Sequence, residues 1–195
     1  MIVERLVVKV GGSLFDWPEL PARLSAWLAE QRSVHVLLVP GGGAAADVIR
    51  AAHSTFSIGD EAAHWLALRG MTINAHLLAQ LLHAPVVAHW RDDRLAILDA
   101  YAFCEADEER PGHLPHSWQV TSDSVAARAA HVFEARLILL KSIDIPTGMS
   151  WEAAVDKGYV DGHFPRVASG LHVKATNLRT WNKPDLPRRV HSACP

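Results

Sequence analysis

Cysteine is nearly absent: the 195 residues hold two, Cys104 and Cys194, neither in a CxxC or CxxH cluster, which excludes a disulfide framework and a thiolate zinc site. A basic excess is missing too. Nineteen Lys and Arg stand against 21 Asp and Glu, a formal net charge of −2, so no positive field exists to displace counterions from a nucleic-acid backbone, and nucleic acid is excluded as a partner. The longest apolar runs, such as Val34 to Val39 and Leu137 to Leu140, fall far short of the ~20 residues that cross a bilayer, so no membrane span is expected. Met1-Ile2-Val3-Glu4-Arg5 lacks a basic segment followed by an apolar stretch and a cleavage site, and the expectation is a cytoplasmic protein. The 12 histidines are scattered, and in His113-Leu114-Pro115-His116 the proline breaks any one-faced helical ligand pair. No metal site is expected.

What remains is an ordinary globular composition, 49% hydrophobic and 21% charged, in a length suited to one domain over 1–195. Apolar runs at Leu6–Val10, Val34–Pro40 and Leu137–Leu140 read as buried strands, with shorter ones at Val86–His89 and Leu95–Leu98. Between them lie helical patterns. Pro18–Gln31 carries Leu20, Leu24, Trp27 and Leu28 on one face; an alanine-rich helix follows from Ala44 to about His53; Asp60–Leu82, capped by Asp60, aligns Leu66, Ile73, Leu77 and Leu81, a face of the kind that is usually core. Ser122-Asp123-Ser124 opens a helix through Phe133, whereas acidic Glu105–Gly112 reads as a surface loop. Residues 177–195 mix Pro184, Pro187 and Arg188-Arg189 without period and read as an irregular arm. Helices alternating with continuous apolar strands give an α/β fold, a mostly parallel sheet covered on both faces.

In such sheets ligands bind beyond the carboxyl ends of the strands. That rule gathers Lys9-Val10-Gly11-Gly12-Ser13, Pro40-Gly41-Gly42-Gly43 and Lys141-Ser142-Ile143-Asp144 on one edge. The first pairs an ammonium with a loop whose backbone N–H groups can approach an anion closely. The second opens a helix whose free N–H groups and dipole favour negative charge. Thr121-Ser122-Asp123-Ser124 reads either as a helix cap or as an acidic group that orients the lysines. Neither GxxxxGK[ST] nor GxGxxG occurs. Two lysines, two glycine turns and an acidic–hydroxyl cluster are what phosphoryl transfer needs, since its catalysis is mainly positioning and charge neutralisation.

Val8-Lys9-Val10-Gly11-Gly12-Ser13, Pro40-Gly41-Gly42-Gly43 and Thr121-Ser122-Asp123-Ser124, in this order, resemble the amino acid kinase superfamily. The resemblance implies a three-layer α/β/α sandwich and transfer of the γ-phosphoryl of ATP, with Mg2+, to a carboxylate or phosphate on a small molecule. It makes Lys9 and Asp123 catalytic and assigns Gly11, Gly12, Ser13, Lys141, Ser142 and Asp144 to the nucleotide. Gly41, Gly42, Gly43, Thr121 and Ser122 would bind the acceptor. Many relatives carry a second catalytic lysine after a glycine-rich segment; here Gly162-His163-Phe164-Pro165-Arg166 offers Arg166 for that role. Where relatives read T-D-V-D-G-V-Y, this chain has Lys141-Ser142-Ile143-Asp144-Ile145-Pro146-Thr147.

His116-Ser117-Trp118 ahead of that hydroxyl cluster, and Asp161 with Phe164-Pro165, are similar to the archaeal-type kinases of methanofuran biosynthesis, which convert an aminomethyl-furanmethyl phosphate to its diphosphate. The resemblance also implies a homo-oligomer, with Trp65 or Met71 at the contact. Two alternatives stay open: a kinase acting on an amino-acid carboxylate, and a catalytically silent nucleotide- or oxyanion-binding protein of the same fold.

Overall fold

Strand β1 (Glu4–Val10) buries every residue from Leu6 onward, and β2 (Val34–Pro40) and β5 (Arg136–Lys141) flank it in parallel. The computed structural model describes residues 4–91 and 93–181. Its sheet has the order β3-β4-β2-β1-β5-β6, completed by β3 (Val86–Val87), β4 (Leu95–Leu98) and β6 (Val173–Asn177), with every neighbouring pair parallel. The chain is the α/β sandwich that its sequence implies.

Successive strand residues point to opposite faces, and the core divides accordingly. Val7, Leu37, Val39, Leu137 and Leu139 join one cluster, while Leu6, Val8, Val10, Leu38 and Leu140 join the other. Helix α5 (Ser122–Val132) lays its alanines on the first face; α1 (Leu20–Glu30) lays Leu20, Leu24 and Trp27 on the second. The register sets Val10 beside both Pro40 and Leu140, so the carboxyl ends of the three central strands meet at one place.

Several elements differ from the sequence reading. Helix α3 (Asp60–Leu82) begins after Gly59 with no side-chain cap from Asp60, and its stripe of Leu66, Ile73, Leu77 and Leu81 is 39–64% exposed. The face it buries is a mixture of Ala63, His64, Leu68, Gly70, Met71, Asn74, Ala75 and Leu78. Small residues there permit close approach to α2 (Gly43–Phe56): a Cβ on Gly70 would lie 3.3 Å from the Ala45 backbone. Met71 is therefore core, and Trp65 stacks edge-on with Tyr101 and His116.

The supposed loop Glu105–Gly112 starts inside helix α4 (Ala100–Asp107), and Asp107 is buried against Arg128 at 2.6 Å. The sequence also conceals β6, after which Leu178 is fully buried. The head of the expected arm, 177–181, is thus packed; 182–195, with Cys194, lies outside the described residues. Cys104 is buried, and that burial pushes its thiol far above the ordinary range.

Candidate active site

Lys9 and Lys141 sit at odd positions of adjacent strands, on the same face as Val7 and Leu139, and Asp123 projects onto that face from the first turn of α5. Lys9, Lys141 and Asp123 are 5%, 7% and 4% exposed. Lys9 Nζ lies 3.0 Å from Asp123 Oδ1, and Lys141 Nζ donates to Oδ1 at 2.7 Å and Oδ2 at 2.8 Å. Two ammoniums sharing one carboxylate leave a positive charge uncompensated in a desolvated place. An anion is the natural complement. Burial raises the Asp123 carboxyl, but the paired ammoniums overcome it and hold the group below its ordinary value. Burial, then the Lys9 ammonium, push Lys141 down to about 8.

The two glycine turns touch each other. Gly11 N–H donates to Leu140 O and Gly41 N–H to Val10 O, both at 2.8 Å, extending the sheet pattern past the strand ends. A Cβ on Gly12 would lie 2.6 Å from Gly43 N, and Gly43 itself has φ +50°, a conformation that glycine adopts freely. Backbone therefore packs on backbone where side chains would force the loops apart. Buried Asn74 of α3 donates Nδ2 to Gly41 O at 2.6 Å and Gly42 O at 2.9 Å, fixing the second loop at the start of α2.

The α5 N-terminus is capped from a distance. Asp161 accepts from Thr121 N–H and Oγ1–H at 3.0 and 2.9 Å, from Ser124 N–H at 2.9 Å, and from the Ser124 hydroxyl. Thr121 makes no side-chain cap of its own. Asp161 thereby sets the height of Asp123 over the sheet. On the β5 side, the Ser13 and Ser142 hydroxyls bond at 2.7 Å, Asp144 accepts from Asn177 Nδ2 at 3.1 Å, and Arg179 donates to Ser13 O at 3.0 Å.

A cavity of about 630 Å³ opens beside this array. Gly12, Ser13, Gly42, Gly43, Thr121 and Ser122 line it, together with Asp47, Arg50, His64 and Trp118, which the sequence reading did not single out as site residues. Burial, then the His116 ring, hold the His64 imidazole below its ordinary value. The advance signal for Asp47, Arg50 and His64 was polar side chains within otherwise alanine-rich or apolar helical patterns, and for Trp118 its place in the His116-Ser117-Trp118 resemblance.

Arg166 is elsewhere. It lines a second cavity of about 550 Å³ with His113, Arg128, His131 and His163, which shares no lining residue with the first. Phe164 is fully buried, and two positions along the short helix Phe164–Val167 a side chain turns to the opposite side. Beside Asp123 stand the two lysines, Lys9 and Lys141, and Arg166, offered for the second catalytic cation, is not among the residues lining the cavity beside them.

A profile of the amino acid kinase family matches residues 4–145, and the chain belongs to that family. Among curated proteins it is similar to the [5-(aminomethyl)furan-3-yl]methyl phosphate kinase of Methanocaldococcus jannaschii, at 25% identity over 142 residues, covering 69% of this chain and 63% of that relative's length. In fold it resembles a UMP kinase from Bacillus anthracis (TM-score 0.60, 12% identity, 92% of this chain and 89% of that one). It also resembles a uridylate kinase from Archaeoglobus fulgidus (TM-score 0.58, 17% identity, 89% and 92%). Among the described residues no helix is long and apolar enough to cross a membrane.

Proposed function

We propose that the protein is a cytoplasmic small-molecule kinase that moves the γ-phosphoryl of MgATP onto the phosphate of an aminomethyl-furanmethyl phosphate, giving its diphosphate in methanofuran-type biosynthesis. The observation that carries this reading is the buried Lys9–Asp123–Lys141 array, with its surplus positive charge, at the meeting of two glycine turns. The named activity of the M. jannaschii relative supports the choice of acceptor.

The residues fit a polyphosphate. Gly12 and Ser13 present backbone N–H groups and a hydroxyl on the turn that Gly11 opens with its own N–H held by Leu140 O, Lys141 supplies charge, and Ser142 and Asp144 border the same side. Mg2+ would arrive on the nucleotide. Gly41 to Gly43 and the α2 N-terminus hold the acceptor phosphate, helped by Thr121 and Ser122 at the cavity wall. An acceptor phosphate oxygen forms a bond to the γ-phosphorus, the bond to the β,γ-bridging oxygen breaks, and ADP leaves. Lys9 and Lys141 neutralise charge on the transferring oxygens, while Asp123 fixes both ammoniums in place.

The test is incubation with MgATP and a panel of acceptors, the furan phosphate first and then uridylate, acetylglutamate and aspartate, followed by mass spectrometry. One phosphoryl gained by the furan phosphate is the expected result. A gain on an amino-acid carboxylate would move the acceptor, and ATP binding with no phosphorylated product at all would leave a silent binding protein.

Lys141 gives the pH dependence. Its value of about 8 places an alkaline limb there in kcat/KM, because the ammonium is lost as pH rises through it. Lys141's contribution to stability moves the other way: above that value the folded state binds fewer protons than the unfolded chain, so the cost of burying the charge is relieved as pH rises. Lys141→Arg keeps its charge and should erase the limb. A wild-type profile that stays flat well past that value would refute the assignment.

Pairing of two copies is part of the same proposal. Leu66, Ile73, Leu77 and Leu81 on α3, with Val48 and Phe56 on α2, present an exposed apolar surface that supports it.

A further inference from the structure

Asp47 lies four residues past Gly43 on α2, and both line the main cavity. That spacing puts the two on one face of the helix, about 6 Å apart along its axis. A phosphate held at the Gly42–Gly43 turn therefore has a carboxylate one turn above it. Asp47 Oδ1 accepts from Arg50, whose guanidinium lies 5.1 Å from the centre of the Trp118 ring. Oδ2 accepts no hydrogen bond among the described residues. Arg50 thus holds one oxygen of a carboxylate that lines the cavity and leaves the other for a ligand. The cavity's other carboxylate, Asp16, is at the Ser13 end and is bonded to Arg179 at 2.8 Å.

We propose that Asp47, positioned by Arg50 on the Trp118 ring, is the residue that selects an acceptor bearing an ammonium as well as a phosphate. This rests on the kinase reading above and names the acceptor class for the same site: a phosphate monoester with an amine arm on the far side of a small ring. The phosphate occupies the glycine turn, the ring lies along α2, and the ammonium donates to Asp47 Oδ2. A uridylate-like acceptor has no cation to offer there.

The experiment measures KM for [5-(aminomethyl)furan-3-yl]methyl phosphate and for furan-3-ylmethyl phosphate, which lacks the amine, in wild type and in Asp47→Asn. With a carboxylate this exposed, loss of an ammonium contact is worth about two- to fivefold. Wild type should prefer the amine by that factor, and in Asp47→Asn the ratio of the two KM values should collapse toward one. Asp47 is 69% exposed on its side chain, so the variant is expected to fold. Transfer by wild type with the same ratio in Asp47→Asn, whether or not both KM values change, overturns the inference and spares the kinase reading. Transfer to neither acceptor by wild type overturns the furan-phosphate acceptor on which the inference rests.

Discussion

Lys9→Met is expected to lower turnover by about a hundred- to a thousandfold, the cost of removing one preorganised donor to developing charge, while leaving the protein as stable as wild type or more so. The two effects part because Lys9 is the surplus charge. Without it, Asp123 keeps Lys141 at 2.7 and 2.8 Å, and the buried pair is balanced. A methionine of similar shape fills the space among Val7, Val39 and Leu139 without a cation to desolvate. Urea unfolding and steady-state kinetics on one preparation check both halves. Turnover near wild type would remove Lys9 from the chemistry, and a large loss of stability would make its role structural.

Asp123→Asn works in the opposite sense. It strands two ammoniums beside each other, 5% and 7% exposed, with a neutral amide between them. Breaking a buried pair by removing one partner costs about 3–5 kcal/mol. Lys141 already sits at about 8, and without the carboxylate it falls further, so at neutral pH part of the charge is shed. The sign follows: the stability deficit is largest at acid pH, where both lysines are protonated, and shrinks as pH rises. Urea midpoints across pH measure it. A deficit that is small, or that does not change with pH, would mean that the lysines do not depend on Asp123.

Much of this site was legible in the sequence because strand ends and glycines leave strong local marks. A run such as Leu6–Val10 can only be a buried strand, and Gly41-Gly42-Gly43 directly after another points to a backbone approach, which proves to be contact with Gly12. Lys9, Asp123 and Lys141 were found for the same reason. What local pattern cannot carry is distance in sequence. Asp161 caps a helix that begins 39 residues earlier in the chain, with bonds spanning 37 to 40 residues, and nothing in Thr121-Ser122-Asp123-Ser124 announces it.

The misplaced second cation has the same origin. Arg166 matched by order along the chain, but the burial of Phe164 decides where it points. On α3, the stripe of Leu66, Ile73, Leu77 and Leu81 marked the wrong face, because the buried side mixes Leu68, Met71 and Leu78 with the alanine, glycine and asparagine that let helices and a glycine loop come close. β6 escaped notice because its five residues, Val173 to Asn177, include no run of apolar side chains and lie at the sheet edge.

The central claim is that the Lys9–Asp123–Lys141 array transfers a phosphoryl group, and the most direct measurement follows the label from γ-labelled MgATP into product with wild type and Lys9→Met side by side. The account predicts labelled furan diphosphate and an equal amount of ADP with wild type, and neither with Lys9→Met above a small residue. Label that stays in ATP with every acceptor, in a wild-type protein shown to bind the nucleotide, would contradict it.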